Sequence, residues 1–369
     1  MEQLGNGTYC EVFAIDKNHV LKKYRYGMDY AKNAIRELAC MTFLRHYSIP
    51  AAYSNNIIIF NNKDIYVKMK RLDEVVLRPE FLRRFLVHIS SALSYCHNFG
   101  IIHKDIKTDN IMYDFAEDWY ILIDWGLASI LTTEHNFNTE ITSQYKPPEW
   151  LGEENCKNYG GKCDIWALGI TVLMLLFPLA NLHELKEEKV ILQYFEDRIG
   201  RDRNVRIKKL KDRTEDFFES DIFEILVDML DFDPDTRISA KDITVRLGCD
   251  PEKHIYVDTC IDIFLRTDKT TAMFKRMKKW IEKATRELEI IEMCKFTSLT
   301  LADKLSTKFT IIDKYFEVAC CACINISAHL YYDCSTIALL VNYCDNFDCD
   351  RLIECRNIFL NSIGFNILP

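Results

Sequence analysis

Two short polar stretches, at 103–110 and 121–126, constrain this chain more than anything else in it. The first reads His103-Lys104-Asp105-Ile106-Lys107-Thr108-Asp109-Asn110 and the second Ile121-Leu122-Ile123-Asp124-Trp125-Gly126. In the first, a carboxylate is followed by a lysine two residues on and by an amide five residues on. An aspartate so placed can position an attacking hydroxyl and accept its proton. The lysine can neutralise a phosphoryl group in transfer, and the asparagine offers an oxygen to magnesium. The second stretch reads as a strand ending in a carboxylate, with Gly126 for the turn. Magnesium is small and hard, suits oxygen ligands of this sort, and is bridged by the phosphates of a nucleotide. Asp105, Lys107, Asn110 and Asp124 are therefore the first candidates for a catalytic and metal-binding site.

At 369 residues the chain suits two domains, and nearly half of it is hydrophobic, so a sizeable core is expected. Its formal charge of −8 gives no overall basic footprint for nucleic acid, so any phosphate binding is local. The densest apolar run, Ile165 to Leu179, is broken by Gly169 and Pro178 and reads as a buried helix, too short to span a bilayer. Met1-Glu2-Gln3-Leu4 leads into a Gly-rich turn and not into an apolar signal sequence. With fifteen cysteines and no secretory signal, a reducing intracellular compartment, cytoplasmic or nuclear, is expected. Cys320, Cys321 and Cys323, with Cys344, Cys349 and Cys355, admit a zinc site by spacing, but small core thiols on helices fit the pattern better.

Along the chain, Val12 to Ile15 and Val20 to Tyr24 flank the polar turn Asp16-Lys17-Asn18, a hairpin signal. Tyr30 to His46 has helical spacing, with Ala34, Leu38, Met41 and Leu44 on one side. Ile57 to Phe60 and Ile65 to Met69 make a second hairpin around Asn61-Asn62-Lys63-Asp64. From Arg78 onward the pattern is mostly helical, broken by loops at 101–113 and 124–149. It stops around Leu247-Gly248-Cys249-Asp250-Pro251, and beyond that everything reads as helix, beginning with a charged segment from about Thr267 to Cys294. The expected domains are 1–250, divided into a β-rich part (1–70) and a helical part (71–250), and 251–369, a linker plus an all-helical tail.

Gly5-Asn6-Gly7 would let a hairpin backbone approach phosphates where a Cβ would obstruct it. Lys22, ten residues after Val12 on a strand, could reach phosphates as a point charge, and Glu37, inside a helix, could pair with it. Each of these features alone is common on solvated surfaces. Their order along the chain gives them weight.

Together these residues resemble the protein kinase family. The likeness continues through Pro147-Pro148-Glu149, where the family has Ala-Pro-Glu. It extends to Asp164-Ile165-Trp166-Ala167-Leu168-Gly169, whose aspartate braces the catalytic loop, and to Arg237 of Asp233-Pro234-Asp235-Thr236-Arg237, expected to pair with Glu149. The resemblance implies an α+β two-lobed fold with ATP in the cleft between the lobes and Mg2+ on Asn110 and Asp124. It implies catalytic roles for Asp105, Lys107, Lys22 and Glu37. The nucleotide would be held by Leu4, Gly5, Asn6, Gly7, Val12, Val20, Lys22, Met69, Lys70 and Leu72, with Asn110 and Asp124. Lys107 fits Ser/Thr specificity, and Thr142 is expected to brace the catalytic loop.

Within that family the sequence is most similar to the cyclin-dependent kinases. Asn33-Ala34-Ile35-Arg36-Glu37 looks like the end of their signature helix, and Gly5-Asn6-Gly7-Thr8-Tyr9 like their Gly-Glu-Gly-Thr-Tyr, which would make Thr8 and Tyr9 inhibitory phosphorylation sites. There are departures. Cys10 replaces a third glycine, Lys104 an arginine beside the catalytic aspartate, Trp125 a phenylalanine, and Lys146 an arginine near the substrate pocket. Only four residues precede Gly5, so the first strand is expected to be nearly absent. Thr139 is the candidate activating phosphosite.

The tail from about residue 264 resembles a single cyclin box. Ala319 to Leu330 looks like its central buried helix, and Asp350 to Ile363 with Gly364-Phe365-Asn366-Ile367-Leu368-Pro369 like its end. A second box is expected to be missing, and His329 and Arg356 stand where cyclins carry a paired lysine and glutamate. The expected function is a Ser/Thr protein kinase acting on protein substrates, with a cyclin-like module contacting, in cis or between chains, the helix that bears Glu37. A catalytically weak scaffold is the alternative, and no nucleic-acid or membrane partner is expected.

Overall fold

The computed structural model of the protein describes residues 2–7, 10–24, 33, 34, 36, 37, 40, 41, 44, 46–50, 59–61, 64–130, 142–151, 160–214, 217–254, 272–288, 290, 294, 295, 297–299, 301, 302 and 316–331. The chain forms two compact units. One comprises Met1–Phe43, Ala51–Arg71 and Val257–Pro369, and the other Leu44–Pro50 and Leu72–Tyr256.

In the first unit, β1 (Gln3–Asn6), β2 (Cys10–Ala14), β3 (His19–Tyr24), β4 (Ile59–Asn61) and β5 (Asp64–Lys70) make one antiparallel sheet, in the order β1-β2-β3-β5-β4. The Asp16-Lys17-Asn18 turn closes β2 onto β3: Asp16 Oδ1 accepts from Asn18 N at 2.7 Å, and Ile15 N donates to His19 O at 3.0 Å. This is local side-chain chemistry that favours a turn. One face of the sheet, through Cys10, Tyr24, Val67 and Met69, packs with Ala34 and Met41 into a core, and Val12 and Val20 lie against it.

One expectation needs correction here. The first strand is present, because Gln3 pairs with Phe13 and Gly5 with Val12 across an irregular register, and Ala14 N donates to Glu2 O at 2.8 Å. Cys10, in the place of a third glycine, opens β2, and its side chain enters the core.

Residues 33, 34, 36, 37, 40 and 41 are helical, but Leu44 and His46 are not, so the expected helix to His46 ran too far. The reason lies in the second unit, to which Leu44–Pro50 belongs. There His46 Nδ1 accepts from Ser48 N at 3.0 Å, a local bond that competes with helix, and Ser91 Oγ lies 3.0 Å from His46 Nε2 and 2.9 Å from His254 Nδ1. Tyr47 N donates to His254 O at 3.0 Å, and His88 stacks on Trp119 at 3.6 Å. Three histidines thus join the 44–50 segment to the end of the second unit.

That unit is built on α1 (Leu82–Asn98), which packs against α6 (Ala240–Arg246), and on α2 (Lys162–Leu176), buried continuously from Cys163 to Leu173. A helix apolar all round belongs in a core, which is what the run read as a buried helix becomes. Helices α3 (Glu188–Arg198), α4 (Arg203–Thr214) and α5 (Ser220–Met229) complete the set. Where loops alone were expected at 101–113 and 124–149, short strands occur. β7 (Ile101–Ile102) pairs with β10 (Ser129–Ile130), and β8 (Ile111–Asp114) lies between β6 (Asp73–Glu74) and β9 (Trp119–Leu122). Strands this short lack a periodicity signal and depend on their partners.

In the tail, α7 (Ala272–Glu287) and α8 (Phe316–Tyr331) pack through Phe274, Met277, Ile281, Ala284, Phe316 and the buried thiols Cys320, Cys321 and Cys323. The small residues of α8 permit that close approach. Helix α7 is shorter than the 267–294 span expected, since Ile290 is not helical and its N–H donates to Thr285 O at 2.8 Å. The expected terminal helix 350–363, residues 364–369, Arg356, Thr8, Tyr9, Thr139 and the side chain of His329 lie outside the described residues. Among the described residues, no helix is long and apolar enough to cross a membrane.

Candidate active site

The expected site residues fall on both units. In the first, Lys22 points inward from β3 because alternation along the strand turns it, like Tyr24, toward the core. Its Nζ lies 3.0 and 2.8 Å from the two carboxylate oxygens of Glu37. Lys22 is 6% exposed and Glu37 fully buried, so each charge depends on the other. Removing one partner from such a pair costs about 3–5 kcal/mol, because the survivor is left charged and buried. Glu37 shares a helix face with Ala34 and Met41, whose burial aims it at Lys22.

Gly5 sits in β1 and Gly7 just after it. A Cβ built on Gly5 would meet only Val12 Cβ at 4.0 Å, and one on Gly7 only Cys10 O at 3.6 Å; neither glycine has positive φ. Among the described residues nothing requires glycine at either place. Asn6 and Gly7 are exposed, Leu4 is 42% exposed, Val12 and Val20 are half-buried, Met69 is buried and Lys70 exposed. Leu72 is half-buried and opens the second stretch of the other unit.

In the second unit the 103–110 stretch folds around one carboxylate. Asp105, 6% exposed, accepts at Oδ2 from Lys107 Nζ at 2.6 Å and Asn110 Nδ2 at 2.8 Å, and at Oδ1 from Thr142 Oγ1 at 2.9 Å. Lys107 Nζ also reaches Thr142 Oγ1 at 3.3 Å, so the brace expected of Thr142 is in place. Asn110 Nδ2 donates to Asp105 O as well, at 2.8 Å. Both partners are acceptors only, which fixes the amide orientation and directs its Oδ1 away from Asp105. Asp124 follows β9 in a left-handed conformation, φ 63° and ψ 62°.

The loop's backbone is held from beneath. Asp164 accepts from His103 N and Lys104 N, both at 2.9 Å, and His97 Nε2 lies 3.0 Å from its Oδ2. Burial alone would push the Asp164 carboxyl up, but the His97 bond and the His103 N–H outweigh it and hold it below the usual range. These bonds stabilise Lys104 at φ 70°, a strained conformation for a residue with a Cβ. Burial pushes His103 down, so its imidazole is neutral. Its Nε2–H donates to Ile123 O at 3.0 Å, and its Nδ1 accepts from Asp105 N at 3.3 Å. The indole of Trp125 fits without an orphaned donor: it is fully buried, its Nε1–H donates to Leu122 O at 2.9 Å, and it packs edge-on to His103 at 4.6 Å.

Farther out, Arg237 donates twice to Glu149, at 2.8 Å each, and to the carbonyls of Lys162 and Asp231, in the pairing expected. Lys146 is 5% exposed and its Nζ lies 2.6 Å from Glu188 Oε1.

Two contributors were missed in the sequence. His97 was not singled out, because a histidine at the end of a helix carries no signal of its own. Gly161 was also missed, yet a Cβ there would stand 2.2 Å from His97 ring atoms, so the glycine makes room for the imidazole that braces Asp164.

Residues 1–246 match the protein kinase domain family. The chain is similar to casein kinase II subunit alpha' of Saccharomyces cerevisiae, 30% identical over 48% of this chain and 55% of that protein. It is also similar to CBL-interacting protein kinase 28 of Oryza sativa, at 27% over 64% of this chain and 55% of the other, and to cyclin-dependent kinase C-2 of Oryza sativa, at 26% over 68% and 60%. The chain therefore spans little more than half the length of these curated relatives. They belong to several kinase groups at similar identity, and the family match ends at residue 246, short of the tail.

Proposed function

This chain belongs to the protein kinase family, and we propose from that premise that it transfers the γ-phosphoryl group of ATP to Ser or Thr hydroxyls of proteins. The observation that carries the proposal is the Asp105 carboxylate, gripped from three sides by Lys107, Asn110 and Thr142. In this role Asp105 orients the substrate hydroxyl and takes its proton, and Lys107 stands ready to offset charge on the transferring group. Lys22, held by Glu37, serves the nucleotide's other phosphates. The Lys107–Thr142 contact supports Ser/Thr over Tyr specificity.

The residues present fit ATP and Mg2+. Asn110 keeps its Oδ1 for a hard cation after spending its N–H groups on Asp105, and Asp124 supplies a carboxylate. Gly5 and Gly7, which no described neighbour requires, suit a backbone that phosphate approaches closely. When bound, the metal nucleotide supplies an activated phosphoryl group with part of its charge neutralised.

The finer reading is a cyclin-dependent-kinase-like enzyme with a cyclin-like module in its own chain. It is supported by the Asn33–Glu37 segment and by the tail's inclusion in the compact unit that holds Lys22 and Glu37. A tail so tethered would act at an effective concentration of ~mM, enough for a weak interface to stay occupied. The test is transfer from labelled ATP with magnesium to a Ser/Thr and Tyr peptide panel, comparing the full chain, residues 1–254 and Asp105→Asn, with no cyclin added. Transfer by the full chain, lost in Asp105→Asn and reduced in 1–254, is expected. No transfer by the full chain would overturn the kinase reading. Equal activity of the full chain and of residues 1–254 would remove the activating role of the tail.

A further inference from the structure

Helix α7 carries six cationic side chains, Lys275, Arg276, Lys278, Lys279, Lys283 and Arg286, against the carboxylates Glu282 and Glu287, in a chain whose formal charge is −8. Its apolar side, through Phe274, Met277, Ile281 and Ala284, is buried against α8 and its neighbours. At about 100° per residue, Lys275, Arg286, Lys279, Lys283 and Arg276 fall within an arc of ~100° on the opposite side. All five are exposed. From Lys275 to Arg286 this stripe runs about 17 Å along the helix at ~1.5 Å per residue.

The stripe is poorly neutralised. Lys278–Glu282 at 3.9 Å and Lys283–Glu287 at 4.0 Å are loose contacts, and among the described residues no ion pair engages Lys275, Lys279 or Arg286. The other cation-rich helix, α4, is different: Arg203 pairs with Glu224 and Asp228, Arg206 with Asp231, and Lys209 donates to the Glu196 and Asp197 carbonyls. Cations on α4 hold the fold together, whereas Lys275, Lys279, Lys283 and Arg286 on α7 are exposed and Arg276, over the Phe316 ring at 4.1 Å, packs against α8.

We propose that the α7 stripe is a docking site for an acidic segment of a protein substrate, remote in sequence from the hydroxyl that is phosphorylated. This deepens the kinase reading and rests on it. A lipid surface fits poorly, because an interfacial helix needs its apolar face and that of α7 is packed inside the tail. Nucleic acid fits poorly too, since an extended polyanion would run past a ~17 Å stripe on a chain otherwise strongly negative. A short acidic peptide segment matches the stripe in length and charge. Docking there raises the local concentration of substrate at Asp105 without any new contact to the reacting group.

Binding and transfer are read separately on the full chain. Anisotropy of a fluorescein-labelled peptide rich in glutamate, without ATP, reads docking. Kinetics on one phosphorylatable peptide, with and without that acidic stretch joined by a long flexible spacer, read its use. Lys275→Glu/Lys279→Glu/Lys283→Glu is expected to weaken binding and raise KM for the tailed peptide about tenfold or more, with kcat and the tail-free peptide unchanged. The milder Lys→Gln triple variant should give an intermediate effect with an unchanged circular dichroism spectrum. Wild-type binding that is absent, or equal in the triple variant, overturns the proposal. Tighter binding of a single-stranded oligonucleotide or of anionic phosphatidylserine vesicles through the same lysines overturns the assignment to a peptide. No transfer to the tail-free peptide, with peptide docking intact, would fail the kinase reading and leave the docking site standing.

Discussion

Acidification should loosen the second unit well before its carboxylates protonate. Burial, with His254 and His88 adding, holds His46 down at about 3, and burial, with His254 and Arg84 adding, holds His88 at about 3. An unfolded histidine titrates near ~6.5, so between the two values the unfolded chain binds more protons than the folded one. The stability these sites contribute is therefore fully present above ~6.5 and is lost as pH falls toward 3. At about pH 5.5 the unfolded form gains about 1.4 kcal/mol from each site relative to about pH 7.5, so the pair costs about 3 kcal/mol. His254 and His103, also pushed down by burial, act in the same direction. The assay is urea unfolding of the full chain at the two pH values, followed by tryptophan fluorescence, because Trp119 stacks on His88 inside the cluster. The control is His46→Asn/His88→Asn. Asn can still accept the Ser48 N–H and Tyr120 N–H bonds that the ring nitrogens accept now. It should be less stable at both pH values, yet lose about 3 kcal/mol less between them than the wild type does. An equal pH loss in wild type and variant would refute the reasoning, as would NMR titration of either imidazole near ~6.5.

Three further outcomes follow from the geometry. Thr142→Val removes one of three donors to Asp105 and should lower kcat about tenfold with KM for ATP unchanged, as steady-state kinetics would show. Gly161→Ala would drive a methyl into His97 and should cost about 1–3 kcal/mol by thermal melting, with a fall in activity as the Asp164 brace shifts. Arg237→Leu leaves Glu149, whose side chain is 9% exposed, without its partner and should destabilise the second unit by about 3–5 kcal/mol in chemical denaturation; an unchanged midpoint would show the pair to be dispensable.

Sequence alone determined the chemistry and its order along the chain. Asp105, Lys107 and Asn110 are local, so the spacing that named them also brings them together, and the hairpin around Asp16–Asn18 and the apolar run within α2 were legible for the same reason. Tertiary structure decided what depends on distant partners. It ended the helix before Leu44, because His46 finds Ser91 and His254, residues far away in sequence whose pairing no periodicity announces. It made β1 a strand despite the few residues before Gly5, because β2 supplies its hydrogen bonds. It also gave roles to His97 and Gly161, which carry no motif and matter only because a ring and a missing Cβ meet beside Asp164. Short-range chemistry is written in residue spacing, whereas burial, bracing and charge neutralisation arise only when the chain closes on itself.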